Sequence, residues 1–555
     1  MTIFRFLTAA AVLLLPVYPA QPVRAKKAMV VSREAHATDA GVAVLHAGGN
    51  AVDAAIAVGF ALAVTHPSAG NLGGGGFMLV RFADGRKTFL DFREMAPAKA
   101  GRDMYLDAAG NPTKDSVIGW RASGVPGTVR GFELAHKKYG KLDWAKLVAP
   151  SVGLAKNGFP LSYGAARSLK VAKNLAASEE SKRIFLKNGD YFEPGDVLKQ
   201  PELAAVLERI SKNGPDDFYL GETAKRLAKE MAGHGGAITL EDLKNYKAVE
   251  RTPLEGKYRG YDIVTAPPPS SGGIGILQML AVLEKTKFAE TGAGSAQSVH
   301  YMAEAMRRYY ADRAEFLGDP NFYKVPVAQL IEKKYIEKLR ASIDPSRATP
   351  SDDVKHGEIN VKESTETTHY SIVDGEGNAV AVTYTLNGGY GSGVTVPGLG
   401  FLMNNEMDDF SVKPGAPNMY GAIGGEANAI VAGKRPLSSM TPAIILKDGK
   451  PVLVVGTPGG TRIITSVFEV IINVLDFHMN VQDAVNAPRF HHQWRPDRLQ
   501  MEPGFSPDTR ALLAQRGHTI ETVASMCEIA AIEFEQDGWL AGAADPRIDG
   551  KAAGY

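Results

Sequence analysis

Two strand-like runs separated by a strong turn sequence occupy residues 367–387, TTHYSIVDGEGNAVAVTYTLN. The turn DGEGN (residues 374–378) combines residue types that favour a tight reversal, and β-branched or aromatic residues flank it on both sides. A hairpin folded about this turn brings Thr385 to within about one position of Thr367 and Thr368 across the strand pair. The sequence therefore predicts that threonine hydroxyls from two strands gather at the open end of one hairpin.

Helical and strand patterns occur in both halves of the chain. The segments EAHATDAGVAVLHAGGN and NAVDAAIAVGFALAVTHP predict helices whose almost continuous small apolar residues are typical of burial against a sheet. Further helices are predicted in IGILQMLAVLEK, HYMAEAMRRYYADRAEFLG and RIITSVFEVIINVLDF, and strands in NLGGGGFMLVRF, RKTFLDFRE, HYSIVD, AVAVTYTL, GFLMNN and PAIILKDGKPVLVVG. The pattern predicts a layered α/β protein. Near residue 366 the predicted elements change from mainly helices to mainly strands.

The N-terminus has the pattern of a secretory signal peptide. A short charged region, Met1 to Arg5, precedes the apolar run Phe6 to Ala20, and small residues at positions 23 and 25 suit a signal peptidase. The run is shorter than the about 20 residues of a membrane span, and two prolines interrupt it. We expect residues 1–25 to be removed and the mature chain to begin at about Lys26; a buried N-terminal helix is the alternative. No later segment predicts a membrane anchor.

Charge and cysteine content exclude several classes of function. The 62 basic and 61 acidic side chains leave a net charge of +1, which gives no electrostatic footprint for nucleic acid or an anionic membrane. Cys527 is the only cysteine, so an exported chain cannot form an intramolecular disulfide. We expect Cys527, in MCEIAAIEF, to fill a strand rather than to act as a nucleophile.

Two glycine-rich stretches invite a nucleotide-binding interpretation. In SAGNLGGGGFMLVR a helix precedes the glycines and a strand follows them, which reverses the order of the dinucleotide fingerprint and favours a tight turn. VLVVGTPGGTRIITSV has the order strand, turn, helix, but lacks the Gly-Lys-Ser/Thr ending of a phosphate loop. Its Gly459 and Gly460 would present N–H groups at a helix N-terminus, where they stabilise developing negative charge. An oxyanion hole is the functional interpretation and a plain turn is the alternative.

Metal-dependent and serine hydrolase chemistries lack their usual motifs. His491 and His492 are adjacent, so on a strand they point to opposite faces, and there is no HExxH motif or cysteine pair. No GxSxG elbow occurs either. We therefore expect neither a metal nor an organic cofactor.

The hairpin threonines offer a different nucleophile. An internal threonine is a poor nucleophile because no neighbouring group deprotonates it. If the chain is cut immediately before it, the freed α-amino group, with a pKa of about 7.7–8.0 in model peptides, is a built-in base. Residue chemistry alone leaves Thr365, Thr367 and Thr368 as alternatives.

Several long motifs carry a specific resemblance. TTHYSIVDGEGNAVAVTYTLN, NNEMDDF, KRPLSSMTPAI, GTPGGTRIIT, NAPRFHHQW, GGNAVDAAIAV, SAGNLGGGGFMLV, DFREMAPAKA and PPPSSGG resemble the γ-glutamyltranspeptidases (glutathione hydrolases) over essentially the whole mature chain. That family belongs to the N-terminal-nucleophile hydrolases, so the resemblance implies a four-layer αββα sandwich. It also implies a precursor that cuts itself between Glu366 and Thr367. The large subunit, residues 26–366, and the small catalytic subunit, residues 367–555, would remain a heterodimer forming one interleaved domain.

The resemblance implies an acyl-transfer reaction. Thr367 would attack the γ-carbonyl of glutathione or another γ-glutamyl compound, and its own α-amino group would take and return the proton. Thr385 would hold the attacking hydroxyl, and Gly459 and Gly460 would be the oxyanion donors. The γ-glutamyl group would then pass to water or to an amino acid or dipeptide.

The resemblance also assigns residues to the two charges of the glutamyl head group. Arg93 matches the ligand of the α-carboxylate, a bidentate task suited to guanidinium, and Ser438 and Ser439 would share that carboxylate. Three residues match the groups that hold the α-ammonium: Asn387, Glu406 and Asp409. Tyr420, within PGAPNMYGAIGG, resembles a lid tyrosine over the bound glutamyl group. Taken singly, the arginine also fits a solvated ion pair and NNEMDDF a surface turn.

Two alternatives accompany this interpretation. A cephalosporin (glutaryl) acylase would use the same nucleophile on a substrate that lacks the α-amino group, but then Asp409 would have no cation to bind. A non-catalytic periplasmic binder of γ-glutamyl peptides would have no need for Thr367 and Thr385. We expect a periplasmic protein, with secretion into the medium as the alternative. The balance between hydrolysis and transfer is not predicted.

Overall fold

The computed structural model describes residues 20–354, 367–413 and 425–555. Most of the predicted signal peptide, the scission residue Glu366 and the lid residue Tyr420 lie outside the described residues, as does Thr365.

Strands in the described residues come from both sides of the predicted scission. They are β1 (Val23–Ala25), β2 (Met29–Ser32), β3 (Gly75–Arg81), β4 (Lys87–Phe92), β5 (Phe159–Pro160), β6 (Val197–Leu198), β7 (Val249–Arg251), β8 (Leu254–Tyr258), β9 (Tyr261–Thr265), β10 (Thr368–Val373), β11 (Ala379–Thr385), β12 (Ala443–Lys447), β13 (Lys450–Gly456), β14 (Phe490–His491), β15 (Leu499–Met501), β16 (Ile520–Thr522), β17 (Ala530–Phe534), β18 (Leu540–Ala544) and β19 (Lys551–Gly554).

Helices of the described residues lie mostly before the predicted scission. They are α1 (Ala35–His46), α2 (Ala51–Thr65), α3 (Thr128–Tyr139), α4 (Trp144–Asn157), α5 (Tyr163–Val171), α6 (Glu179–Phe185), α7 (Pro201–Asn213), α8 (Asp216–Tyr219), α9 (Glu222–Gly233), α10 (Leu240–Asn245), α11 (Gly272–Leu283), α12 (Ala296–Phe316), α13 (Val327–Leu330), α14 (Lys333–Ala341), α15 (Arg462–Leu475), α16 (Val481–Asn486) and α17 (Pro507–Gln515).

Two seven-stranded sheets form the centre of the molecule. Their strand orders are β1-β18-β17-β13-β12-β9-β8 and β19-β2-β10-β11-β3-β4-β7, with antiparallel neighbours throughout. Each sheet takes strands from both sides of residue 366. The two segments of the sequence are therefore interleaved in one layered unit.

Helices cover the outer face of each sheet. Along β3, Phe77 and Leu79 belong to one hydrophobic cluster, which includes the first sheet and helices α11, α12 and α15. Met78 and Val80 belong to the other cluster, with helices α1 to α3. Because successive strand residues point to opposite faces, this alternation shows that the second sheet is buried on both faces. The layered α/β prediction and the four-layer αββα arrangement are confirmed.

Helix α2 shows why the small apolar segment near the N-terminus folds as predicted. Asn50 caps it by accepting hydrogen bonds from Val52 and Asp53, and Asp53 completes a capping box. Every residue of the helix is buried. At Gly59 an added Cβ would collide with the ring of Phe132, so a small residue is required for this close approach.

The predicted hairpin is present at the centre of the second sheet. Strands β10 and β11 pair with Thr368 opposite Tyr384 and His369 opposite Thr383, which places Thr385 across from Thr367. Strand β2 flanks the hairpin on one side and β3 on the other. Strand β2 holds the hairpin near its turn, whereas β3 pairs with β11 as far as Thr385 at the threonine-bearing end.

Two local predictions are wrong. The segment GFLMNN is not a strand, because only isolated bridges occur there, Thr395 with Leu402 and Gly73 with Met403. Gly398, two residues before the segment, and Gly400, its first residue, have φ of 65° and 72°, which breaks the extended path. Cys527 does not fill a strand either: it has a φ of 58° in the loop before β17.

The N-terminal end of the described chain is part of a sheet. Strand β1 pairs with β18, and Arg24 makes a two-pronged ion pair with Glu535. Among the helices of residues 20–354, 367–413 and 425–555, none combines the length and hydropathy needed to traverse a lipid bilayer.

Asp374 connects the hairpin turn to helix α2 and provides a test of this packing. Its buried carboxylate accepts hydrogen bonds from the N–H groups of Ala51, Glu376 and Asn378 at 2.8, 3.0 and 2.9 Å. Asp374→Ala leaves these donors without a partner, so we expect a loss of about 2–4 kcal/mol in the free energy of unfolding, measured by urea titration.

The control is Asp143→Ala. Asp143 lies directly before helix α4, but it makes no capping hydrogen bond and its side chain is 81% exposed. We expect a change within about 0.5 kcal/mol. Equal losses in both variants would contradict the structural role of Asp374.

Candidate active site

The open end of the hairpin faces a small cavity. Its walls bring together residues that are far apart in the sequence: Arg93, Arg313, Thr367, Thr385, Asn387, Glu406, Asp409, Phe410, Ser411, Asn428, Leu437, Ser438, Ser439, Met440, Gly460, Thr461 and Ile463. The cavity volume of about 40 Å³ has room for a few water molecules. Almost all the site residues predicted from the sequence therefore lie around one cavity. Glu366 and Tyr420 lie outside the described residues, and Gly459 immediately precedes the lining residue Gly460.

Of the two threonines that begin the hairpin, Thr367 lines the cavity. Thr368 is the next residue along the strand and points to the opposite face, where its Oγ1 is buried with no hydrogen-bond partner among the described residues. Thr385 Oγ1 accepts a hydrogen bond from Asn387 N–H at 2.8 Å. Of Thr367 and Thr368, the geometry supports Thr367 as the nucleophile.

Asn387 leaves the strand in an unusual backbone conformation. Its φ of 74° turns the chain away from β11, and its side-chain Nδ2 donates to the carbonyl of Asn405 at 2.9 Å. Asparagine tolerates this left-handed region better than most residues. The hydrogen bond joins the end of the hairpin to the segment NNEMDDF, so that segment is not a surface turn.

Arg93 is a fully buried cation surrounded by acids. Its Nη1 contacts Glu406 Oε1, its Nη2 lies 2.5 Å from Asp409 Oδ2, and Glu94 Oε2 is 3.5 Å from Nη1. The carbonyls of Pro436 and Leu437 accept further hydrogen bonds from the guanidinium. Burial acts to lower the pKa of Arg93, but the nearby Glu406, Asp409 and Glu94 outweigh it and raise that pKa. Arg93 is therefore a permanent positive charge at the cavity.

Glu94 and Glu406 are two buried carboxyl groups next to the same arginine. Burial raises the pKa of each, although the charge of Arg93 opposes the shift. Both oxygens of Glu94 and Oε2 of Glu406 are buried without a hydrogen-bond partner among the described residues, and the pKa of Glu94 is raised to about 7. At neutral pH the pair therefore carries fewer than two negative charges.

The serine pair is held by the loop APPPSSGG. Ser271 donates through both N–H and Oγ to the carbonyl of Ser438, and Ser438 N–H donates to Pro269. Ser439 Oγ accepts from Arg313 Nη2 at 3.0 Å, and Arg313 Nε donates to Ser271 Oγ at 3.1 Å. Arg313 is thus a second buried cation at the cavity.

The glycine turn before α15 has the geometry of an anion site. Gly459 and Gly460 have φ of 134° and 58°, and α15 begins two residues later at Arg462. An added Cβ on Gly459 would collide with Cys527 Sγ, so this thiol packs directly against the turn. Tyr310 Oη donates to the carbonyl of Thr461 at 2.5 Å and fixes the start of the helix from α12. The N–H groups at this helix N-terminus favour negative charge.

The histidine pair has a structural environment. His491 bonds Thr465 and Gln493, His492 contacts Asp497, and burial lowers the pKa of His491 to about 3 and of His492 to about 4. Within the part of the chain that the structure describes, no group of three or more histidine, cysteine or acidic side chains is arranged to hold a metal ion.

Sequence reasoning missed Arg313, Glu94 and the Cys527 contact. Arg313 belongs to HYMAEAMRRYYADRAEFLG, a helix that is buried over most of its length. Because a buried arginine is normally paired, its position on such a helix indicates a candidate site residue. Glu94 directly follows Arg93, so a paired acid was foreseeable. The contact between Cys527 and Gly459 joins two loops about 70 residues apart and has no local signature.

Known proteins resemble this chain in sequence and in overall fold. The family model described as γ-glutamyltranspeptidase matches residues 37–555. The glutathione hydrolase proenzyme of Escherichia coli (strain K12) is 54% identical over 538 residues, covering 96% of this chain and 93% of the relative. The solved cephalosporin acylase from Bacillus halodurans is similar with a TM-score of 0.85 and 28% identity, covering 98% of each chain. The solved Helicobacter pylori γ-glutamyltranspeptidase has a TM-score of 0.58 and 43% identity, covering 62% of this chain and 97% of the other.

The family match begins within α1 and continues to the last residue, so it includes all the predicted site residues and every strand of the two sheets except β1 and β2. With a relative that is more than half identical over nearly its full length, the evolutionary relationship is established. The chain belongs to the γ-glutamyltranspeptidase family of enzymes.

Proposed function

We propose that this chain cleaves the γ-glutamyl amide bond of glutathione and related compounds through a γ-glutamyl-Thr367 intermediate. The observation that carries the proposal is one cavity that combines a strand-end threonine, a glycine turn at a helix N-terminus and a buried arginine among acids. The name of the E. coli relative, a glutathione hydrolase proenzyme, supports the substrate class.

The nucleophile requires a prior cut of the chain. Thr367 Oγ attacks the carbonyl carbon of Glu366, the acyl group moves from nitrogen to oxygen, and water hydrolyses the resulting ester. The products are a new C-terminus at Glu366 and a free α-amino group on Thr367. The large subunit would be residues 26–366 and the small subunit residues 367–555, held together by the interleaved sheets.

Catalysis then uses the freed amino group as the base. It takes the proton from Thr367 Oγ as this oxygen attacks the γ-carbonyl, and returns it to the leaving amine. Thr385 orients the attacking oxygen, and the N–H groups at Gly459 and Gly460 stabilise the tetrahedral oxyanion. Water, or the amino group of an amino acid or dipeptide, attacks the ester and releases glutamate or a new γ-glutamyl product.

The charged groups of the substrate replace part of the ion pairs that Arg93 makes with acids in the free enzyme. The substrate α-carboxylate binds Arg93, together with Ser438 and Ser439, while the α-ammonium binds Asp409, Glu406 and Asn387. Because the cavity of about 40 Å³ is small, Arg93 must exchange part of its contact with the acids for the substrate carboxylate. A zwitterion conserves the charge balance of the site, whereas a lone carboxylate or a lone amine does not. Tyr420 is proposed as the residue that closes over the bound group.

Glutaryl acylase activity is the rival reaction. The structural similarity to the Bacillus halodurans cephalosporin acylase covers nearly the whole chain, so the fold does not separate the two reactions. The ion pair between Asp409 and Arg93 favours the γ-glutamyl class, because a glutaryl group has no ammonium to balance the acid. Glutamate release from glutathione, compared with glutarate release from a glutaryl amide, decides between them. A non-catalytic binder would release neither.

Export to the periplasm completes the proposal. The apolar N-terminal run is interpreted as a cleaved signal peptide, and no stable membrane anchor is expected. Cleavage after Ala25 remains a prediction, but it would detach β1 from β18 and remove the ion pair of Arg24 with Glu535. These contacts favour a cleavage site closer to Ala20. N-terminal sequencing of the mature large subunit measures the position directly.

Replacement of the nucleophile should abolish both reactions. We expect Thr367→Ala to give a single uncleaved chain without glutathione hydrolysis, because no hydroxyl attacks Glu366 and no terminal amine forms. Gel electrophoresis and glutamate release measure the two effects. Thr368→Ala is the matched control, since its Oγ1 has no partner, and it should cleave normally and keep activity within about threefold. The reverse result would assign the nucleophile to Thr368.

Substitutions of the two acids that contact Arg93 should have different effects on KM at neutral pH. Asp409→Asn removes a charge-assisted partner of the substrate ammonium, so we expect KM to rise by about 10- to 100-fold with normal self-cleavage. Glu406→Gln should raise KM by less than Asp409→Asn does, because burial raises the pKa of Glu406 and so favours its protonated form, which is close to an amide in shape. Equal loss of self-cleavage and substrate binding in Asp409→Asn would mean that the carboxylate is structural.

The pH profile tests the protonation of Glu406. Burial raises the pKa of this acid, so it is neutral below the raised value and ionises as the pH increases through it. The ionised form attracts the substrate ammonium more strongly than an amide does. We therefore expect the difference in KM between the wild type and Glu406→Gln to grow toward alkaline pH. A difference that is constant with pH would contradict a titrating Glu406.

A further inference from the structure

Arg313 is a buried arginine that lines the active-site cavity without an acidic partner. It lies on α12 and is only 7% exposed. Its guanidinium donates to Ser439 Oγ and Ser271 Oγ, which are both neutral, and it makes no ion pair with an acid of the described residues. A buried arginine is normally paired, because an uncompensated charge away from water is costly. Arg313 therefore places an unbalanced positive charge at the cavity.

The charge of Arg93 is, by contrast, balanced within the protein. Asp409 and Glu406 contact its guanidinium, and backbone carbonyls accept two more of its N–H groups. Arg313 uses only two of its five N–H groups, and no described residue accepts the other three. Its Nη1, which carries two of these three, is not fully enclosed by protein. Of the two arginines that line the cavity, Arg313 has the unused donors.

The two serines beside Arg313 also present donors to the cavity. Ser439 Oγ accepts from Arg313 Nη2, and Ser438 Oγ accepts from Met440 N–H at 3.1 Å. Neither serine hydroxyl donates to a described residue, so each has its hydrogen for a ligand oxygen. This wall of the cavity therefore offers hydrogen-bond donors and positive charge, and the complementary ligand group is an anion.

The two arginines bind neighbouring residues of one segment of chain. Arg93 Nη2 donates to the carbonyl of Leu437, and Arg313 Nη2 donates to Ser439 Oγ. Two residues span at most about 7 Å, so these anchor points are close together. Because both arginines also line a cavity of about 40 Å³, one small planar anion is within reach of both.

We propose that Arg313 is a second carboxylate-binding residue of the active site, and that with the hydroxyls of Ser438 and Ser439 it binds the α-carboxylate of the γ-glutamyl group. Arg313 supplies the positive charge that balances this carboxylate, while Arg93 keeps part of its contact with Asp409. The assignment rests on the γ-glutamyl function proposed above. It makes Arg313 the residue that discriminates an α-carboxylate from an uncharged α-carboxamide.

Equilibrium binding tests this discrimination without any turnover. Titrations followed by NMR of the ligand compare L-glutamate with L-isoglutamine, its α-carboxamide. Arg313→Met removes the charge and the donors, so we expect Kd for L-glutamate to rise by about 10- to 100-fold. Kd for L-isoglutamine should change by less than about threefold, because a neutral amide gains little from the cation. Arg313→Lys keeps the charge without the planar fork and should give an intermediate Kd for L-glutamate.

Turnover separates the α-carboxylate from the glycine carboxylate of glutathione. L-γ-glutamyl-p-nitroanilide has only the first of these groups. Arg313→Met should therefore raise KM for this substrate and for glutathione by similar factors, about 10- to 100-fold. An increase in KM for glutathione alone would place Arg313 at the glycine carboxylate and would overturn the proposal.

Arg347→Met is the matched control for the loss of one positive charge. Arg347 is exposed, does not line the cavity and makes no ion pair among the described residues. Both Kd values and both KM values should stay within about twofold in this variant. Thermal unfolding verifies that each variant is folded, and Arg313→Lys keeps the test valid if the methionine variant is unstable.

Two binding results would overturn the proposal. Equal losses for L-glutamate and L-isoglutamine in Arg313→Met would show that the arginine only supports the serine segment. Unchanged binding of L-glutamate would show that Arg313 does not contact the carboxylate. A wild-type enzyme that releases no glutamate from glutathione would instead refute the proposed reaction, and the NMR titrations would still decide the role of Arg313.

Discussion

The central position of the hairpin in the second sheet is the constraint on which the rest of the structure depends. Strand β10 is paired with β2, and β11 with β3, so the hairpin that begins with the threonine cannot leave the sheet without breaking two strand pairs. The turn is held at its other end by Asp374, which accepts from the N-terminus of α2. A cut before Thr367 would therefore free a terminal amine without freeing the strand. The interleaving of segments in both sheets would hold the proposed pair of subunits together after such a cut.

The second organising interaction is the buried cluster around Arg93. Two adjacent carboxyls and Asp409 neutralise the guanidinium, and the backbone carbonyls of Pro436 and Leu437 satisfy its remaining donors. Removing the guanidinium would leave these buried acids without their cation, and breaking a buried ion pair in this way typically costs about 3–5 kcal/mol. A substrate that brings one positive and one negative group can enter this cluster while keeping it balanced. That requirement links the stability of the site with its proposed choice of a zwitterionic glutamyl group.

Local sequence signals predicted the helices, strands and turns well, but they did not predict irregular backbone or contacts between distant segments. The capped helix α2, the DGEGN turn and the strand–turn–helix around Gly459 follow from residue preferences within about 20 residues of chain, and the structure has all three. The strand prediction for GFLMNN failed because the backbone at Gly398 and Gly400 diverts the chain, and because the Asn404 side chain donates to the carbonyls of Gly73 and Gly124. Arg313 and Glu94 were missed because their importance comes from which side chains they meet, which no local pattern encodes.

The amino-acid sequence by itself determined the layered α/β class, the hairpin that faces Thr385 toward Thr367 and, through its long motifs, the family. These properties depend on short-range backbone preferences and on alternation of apolar residues, both of which are present within short stretches of the chain. Only the tertiary structure decided that Thr367 rather than Thr368 faces the cavity, and that Glu94 and Glu406 lie buried together beside Arg93. Each of these depends on burial and on contacts between distant segments, which exist only after the sheets have assembled.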